Sequence, residues 1–246
     1  MSNATKNATE KAFQQNFVKE LTHYKWNAPD YLDGNKQTVT VQDLINNWRR
    51  ELNRINTDQL EGVELTDSEF KQVMAKVSLI SNSYEASKIL AIEESKGKID
   101  GIYRDDNPKI TRKQITLTIF KKAEVRGGDS SYQIAREIQT SNGNRFDIVL
   151  LINGLPLINI EQKRTDKSLD EAFGQFQRYY RDGEYTNNFM AFSQMMVVTT
   201  EIETRYFATP KSADEFNPSF VFHWSDKENK PINNWQHVIK HFLMIP

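Results

Sequence analysis

The chain is 246 residues long, 38% hydrophobic and 26% charged, with 32 Lys and Arg against 33 Asp and Glu and a net charge of −1. This is the composition of a folded globular protein of one or two domains, and it excludes a protein that coats polyanions through bulk basic charge while leaving room for a local basic groove. Cysteine is absent, which excludes disulfide scaffolds, thiolate zinc sites and cysteine nucleophiles.

In chain order, MSNATKNATEKAF has no apolar core of the kind a secretory leader needs. AFQQNFVKEL puts Phe13, Phe17, Val18 and Leu21 on one face, which predicts an amphipathic helix of about 12 to 15 residues headed by Glu10. After a polar link, VQDLINNWRREL repeats the pattern with Val41, Leu44, Ile45, Trp48 and Leu52. TDSE then opens a third helix, with Thr66 as cap and Glu69 closing a capping box. A fourth helix is expected over 83–95.

From about residue 99 the period changes. ITLTIF at 115–120 alternates as a strand does, and YQIAREI at 132–138 does so more weakly. NRFDIVLLINGLPLINIEQK gives two apolar runs around Asn153-Gly154, a strong hairpin signal, and the runs are continuous enough to be central strands covered on both faces. SLDEAFGQFQRYYRDG follows as a helix stopping before Gly183. MMVVTT, TRYFAT and SFVFHW are further strands, and INNWQHVIKHFL is a closing helix. The expected fold is α/β, a mixed central sheet flanked by helices, in one domain over 1–246. Its helical N-terminal portion covers about 8–95 and its α/β core about 99–246. The longest apolar stretch, IVLLI at 148–152, is far short of the roughly 20 residues of a membrane span. No membrane partner is therefore expected.

The chemistry is concentrated at the hairpin. Asp147 lies early in its first strand, and Glu161 and Lys163 end the second, sharing a face by alternation. A strict two-residue turn pairs 147 with 160 and puts Asp147 on the opposite face. A three-residue loop, or a bulge near Pro156, pairs 147 with 161 and joins the carboxylates. We expect the second arrangement, because proline cannot donate to a ladder. Two facing carboxylates need a positive partner, and Mg²⁺ accepts one or two of them with water and phosphate oxygens completing its shell. A nearby lysine can orient or deprotonate a bound water, or stabilise a pentavalent transition state.

Asp147 followed by Glu161-x-Lys163, on a hairpin that leads into a helix, resembles the PD-(D/E)xK nuclease superfamily. The longer string RFDIVLLINGLPLINIEQKRTDKSLDEAFGQFQRYYRDG is similar to the N-terminal nuclease domain of type I restriction enzyme R subunits, and FVFHW fits as well. The resemblance is strongest over 145–182. It implies a restriction-endonuclease-like fold and an Mg²⁺-dependent endonuclease, with Mn²⁺ as a possible substitute. Asp147 and Glu161 would hold metal together with the Gln162 carbonyl, and Lys163 would be the catalytic lysine. Gln175 and Tyr179 match the family's Gln-x-x-x-Tyr, and would support Lys163 or contact DNA phosphates. It also implies double-stranded DNA and the modification and specificity subunits as partners, in a bacterial or archaeal cytoplasm. ATP would serve only a motor whose Walker A loop is absent here, so the chain reads as a fragment. Phe146 stands where a proline is common, and Gln162 where the middle residue is usually apolar, suggesting an exposed or hydrogen-bonded back face.

Plainer readings stand beside these. Glu10 is a candidate assisting acid or a solvated carboxylate at a helix start, and Glu137 is a second candidate of that kind. Trp26, Trp48, Trp224 and Trp235 are expected in the core, and His237 and His241 form a structural pair. Between Arg104 and Arg126, seven basic residues stand against three acidic ones, forming a phosphate-contacting patch or a solvated face. Rival functions are a repair-type nuclease of the same superfamily, or a non-catalytic nucleic-acid-binding or interaction module of the same fold. A two-carboxylate glycosidase would leave Lys163 and the Gln-x-x-x-Tyr helix without a role.

Overall fold

The computed structural model describes residues 3–91, 97–120 and 130–245, with side chains in the first helix from Glu10 onward. Six strands form one mixed sheet in the order β1-β4-β5-β6-β7-β8. These are β1 (Val39–Thr40), β4 (Tyr132–Gln139), β5 (Arg145–Ile152), β6 (Leu155–Gln162), β7 (Met195–Thr199) and β8 (Thr204–Ala208). The pairs β4·β5, β5·β6 and β7·β8 are antiparallel, whereas β1·β4 and β6·β7 are parallel. A separate hairpin of β2 (Lys98–Tyr103) and β3 (Gln114–Thr118) stands beside it.

The apolar runs of the central strands are explained by what covers them. Val149 and Leu151 of β5 belong to a cluster with α2 (Val41–Ile55), α3 (Asp67–Val77), α4 (Ser83–Ala91) and α5 (Leu169–Arg181). Ile148 and Leu150 face the other way, onto α1 (Asn3–His23) and the closing helix, α6 (Trp235–Val238), which continues as a π-helical turn to Leu243. Both faces are dry, as continuous hydrophobic strands require.

Local sequence accounts for most element ends. Asp43 accepts from the Thr40 N–H and hydroxyl at the start of α2. At α3, Thr66 and Glu69 form the expected reciprocal capping box. Gly183, at φ +81°, follows the end of α5. Asn153 and Gly154 have φ of +51° and +77°, the two left-handed residues of a type I′ hairpin turn. Gly154 also lies under α2, where an added Cβ would stand 2.8 Å from the Trp48 Cα.

Several expectations change. The first helix begins at Asn3, so Glu10 sits two turns inside it rather than at its head. Strand β2 escapes the alternation pattern because Gly101, at φ +66°, accompanies a register shift between Ile99 and Ile102. SFVFHW is not a strand: Asn217 caps a 3-10 turn at Pro218–Phe220, and beyond it a single bridge joins Tyr206 to Phe222. The expected fourth helix is described only to Ala91, and 92–95 lie outside the described residues. Trp26 and Trp48 are buried, but Trp224 and Trp235 are half-buried and stack on Phe242 and Phe17.

Among the basic residues, Arg104 is buried, bonding Glu69 at 2.9 Å and the Val63 carbonyl at 2.9 Å. It is a core ion pair rather than part of a phosphate-contacting patch, because Glu69 offers a fully buried carboxylate. Lys113 pairs with Asp106, and Arg112 donates to the Asp58 carbonyl. Lys121, Lys122 and Arg126 lie outside the described residues. Among the described residues, no helix is long and apolar enough to cross a membrane.

Candidate active site

The turn has two residues, yet the expected pairing of carboxylates is achieved. Ile152 faces Leu155 and Leu151 faces Pro156, after which the register shifts, so that Leu150 faces Ile158 and Ile148 faces Ile160. The extra residue, Leu157, is a bulge beside Pro156, and continuing the register brings 147 opposite 161. The backbone N–H of Gln162 then donates to Asp147 Oδ2 at 2.8 Å. Lys163 Nζ donates to Glu161 Oε1 at 2.5 Å, and the Lys163 N–H is held by the Thr199 carbonyl of β7 at 2.9 Å. Asp147, Glu161 and Lys163 therefore converge.

The electrostatics follow from burial. Desolvation pushes Asp147 up to about 6, against the pull of the Lys163 ammonium and the Gln162 N–H. Glu161 is raised well above the usual carboxylate range, first by burial and then by the charge of Asp147. Burial pulls Lys163 down, but Glu161 and Asp147 outweigh it and hold the ammonium above the ordinary lysine value. Two buried carboxylates share one cation, so full ionisation of both calls for a further positive charge. That need and the all-oxygen donor set fit a hard divalent cation. Among the described residues no group of three or more His, Asp or Glu comes together to hold a metal, and the hairpin brings together two carboxylates, Asp147 and Glu161. Water and phosphate oxygens complete such a shell in Mg²⁺ sites.

Gln175 and Tyr179 share the face of α5 that meets β5. Gln175 Nε2 donates to the Tyr179 hydroxyl, which donates to the Arg145 carbonyl at 2.8 Å. The tyrosine thus anchors the strand carrying Asp147, and burial and the Glu161 charge raise its pKa. Its hydrogen bonds are to Gln175 and to β5 rather than to Lys163.

The side chain of Gln162 departs from expectation. It is neither exposed nor hydrogen-bonded: it is 1% exposed, and both amide atoms lack a partner among the described residues. It lines a cleft of about 290 Å³ with Asp147, Glu10, Gln14, Glu137 and Arg145. Glu10 also lines a second cleft, of about 330 Å³, with Lys163 and Arg164. It therefore stands between the two, and its charge helps hold Lys163 protonated. A helix-start carboxylate lying in solvent is not what the fold makes of it. Glu137, across the sheet, adds to the upward push on Asp147. His237 and His241 lie apart from the site clefts, with ring centroids 6.2 Å from each other.

Sequence reasoning passed over Gln14 and Arg145, which bond and ion-pair Glu137 respectively. Arg145 had a signal, since it lies two residues before Asp147 on one strand.

The chain resembles known proteins along most of its length. It is 33% identical over 212 residues to the endonuclease subunit of a type I restriction enzyme of Staphylococcus aureus strain COL, a match covering 84% of this chain and 21% of that protein. A counterpart from Staphylococcus saprophyticus is 32% identical with the same coverage. The endonuclease subunit of an Escherichia coli type I enzyme is 25% identical over 227 residues, covering 82% of this chain and 66% of the relative. The chain thus spans about a fifth of the length of the staphylococcal relatives. Residues 7–215, which hold every residue of the site, match the family described as the type I restriction enzyme R protein N terminus, and the chain belongs to that family.

Proposed function

We propose that this chain is the nuclease domain of a type I restriction enzyme R subunit and hydrolyses phosphodiester bonds of double-stranded DNA with Mg²⁺, or Mn²⁺ in its place. The observation that carries this reading is the convergence of Asp147, Glu161 and Lys163 at the bulged hairpin. Asp147, Glu161 and the Gln162 carbonyl would hold the metal, which when bound activates water and offsets phosphate charge. Lys163, kept protonated by its two carboxylate neighbours, acts as a cation and hydrogen-bond donor beside the phosphate rather than as the base. Tyr179 and Gln175 hold β5 in place against α5. The further partners this reading implies are modification and specificity subunits for sequence recognition and an ATP-driven motor, in the bacterial or archaeal cytoplasm.

Titration calorimetry with Mn²⁺ tests the reading on the chain itself. Heat of binding in wild type that is lost in Asp147→Ala supports it. No heat, or heat unchanged in the variant, favours a non-catalytic module. In a complete R subunit assembled with its partners, Lys163→Ala is expected to stop cleavage and spare ATP hydrolysis. Cleavage at the wild-type rate would remove Lys163 from the mechanism.

A further inference from the structure

Glu137 is in the interior of β4 with φ +55°, a left-handed conformation that costs a non-glycine residue about 1–3 kcal/mol and persists only when its surroundings impose it. The ladder is regular on both sides, Arg136 facing Ile148 and Ile138 facing Phe146, so the distortion is confined to one residue. A neighbouring loop clamps it. The Gly34 N–H bonds the Arg136 carbonyl at 2.9 Å, Asp33 takes the Arg136 guanidinium through both carboxylate oxygens, and a Cβ on Gly34 would stand 2.4 Å from the Glu137 carbonyl oxygen.

The distorted backbone directs the Glu137 carboxylate into the cleft beside Asp147, where both oxygens are engaged. Oε1 accepts from Gln14 Nε2 at 2.6 Å, and Oε2 pairs with Arg145 Nη1 at 2.9 Å. The Glu137 side chain is 18% exposed but that of Arg145 is 59% exposed, so the guanidinium is anchored on one side and open to solvent on the other. Arg145 is two positions from Asp147 on β5, about 7 Å along the strand, comparable to the step between successive phosphates of a nucleic acid. Lys11 borders the same cleft.

We infer that Arg145 is a DNA phosphate contact, binding the phosphodiester next to the one at Asp147, and that Glu137 is its positioning residue. The inference rests on the nuclease reading for what lies at Asp147, but the Arg145 contact is read independently of cleavage. A bidentate-capable guanidinium pre-aimed by a carboxylate loses less freedom on meeting a phosphate than a mobile side chain does. The strain at Glu137 is the cost of that aim.

The test is binding of the 246-residue chain to a fluorescein-labelled DNA duplex in Ca²⁺, by anisotropy across a salt series. Arg145→Ala is expected to weaken binding about tenfold and to reduce the slope of log K against log salt by about 1. Glu137→Gln keeps an amide partner for Gln14 and should weaken binding in the same way. In the double variant its effect should vanish, because it acts through Arg145. Glu137→Gly removes the backbone strain, so its melting temperature should be equal to or above wild type while affinity falls. An unchanged salt slope in Arg145→Ala, additive effects in the double variant, or no binding by wild type would overturn the inference. The nuclease reading fails separately, through Mn²⁺ heats that Asp147→Ala leaves intact.

Discussion

The backbone N–H of Gln162 reaches Oδ2 of Asp147 at 2.8 Å, tying the two strands of the hairpin together where its carboxylates meet. That bond depends on one residue far from it in the strand. Leu157 bulges out beside Pro156 and shifts the register, and without the shift Asp147 would face position 160, with Glu161 on the other side of the sheet. One extra residue in β6 thus aligns both carboxylates with Lys163.

Asp147→Asn is expected to abolish Mn²⁺ binding and cleavage while stabilising the metal-free protein. Burial holds the Asp147 carboxyl at about 6 against an ordinary 3.8, so its ionisation opposes folding at neutral pH by up to about 3 kcal/mol. The asparagine oxygen can keep the Gln162 N–H. Urea denaturation at pH 7.5 without metal should give a higher midpoint for the variant, and a lower one would contradict the assigned cost of burial.

The same groups set a pH dependence. Asp147 and Glu161 bind protons more tightly in the folded chain, so their contribution is most favourable below about pH 4. Stability from this site falls as pH rises through about 6 for Asp147, and Glu161 continues the fall at higher pH. The comparison that isolates the effect is wild type against Asp147→Asn from pH 4 to 8, which should diverge as pH rises. Mn²⁺ should narrow the difference. Parallel curves would show that Asp147 ionises as it does in the unfolded chain.

Lys163→Met removes the cation that pairs with Glu161 at 2.5 Å. Cleavage should fall by about 10²–10⁴, and Glu161, having lost the ammonium that favours its ionised form, should hold its proton to higher pH than in wild type. Carboxyl NMR or infrared titration reads that proton directly. A Glu161 that loses its proton at the same pH in the metal-free variant as in wild type would count against the pairing.

Gly154→Ala tests the turn on which the site is built. The residue is at φ +77°, and its new Cβ would stand 2.8 Å from the Trp48 Cα. We expect a loss of about 1–3 kcal/mol from backbone strain alone, and more from the clash. Chemical denaturation measures it, and a loss below about 0.5 kcal/mol would mean that α2 yields.

Much of this was legible in the residues. The stripe of Leu44, Trp48 and Leu52, the capping box of Thr66 and Glu69, and the Asn153-Gly154 turn are local signals, read between residues a few positions apart. The Glu161 and Lys163 pairing is also local, since i and i+2 share a strand face. Arg104 was not legible, because nothing near it in sequence says that Glu69 waits for it inside the core. The failed strand at SFVFHW has a similar cause: its apolar pattern is strand-like, but Asn217 and Pro218 turn the backbone before it can pair.

The sequence by itself determined most of the helices and central strands, where the hairpin turns, and that Glu161 and Lys163 share a strand face. These depend on period, capping and turn conformation, all short-range properties of the backbone. The tertiary structure decided that Glu10 stands between two clefts, that Glu137 is held left-handed against Arg145, and that Asp147 and Glu161 are buried deeply enough to hold protons near neutrality. Those outcomes depend on which distant segments exclude water from a charge, and desolvation is a property of the packed whole.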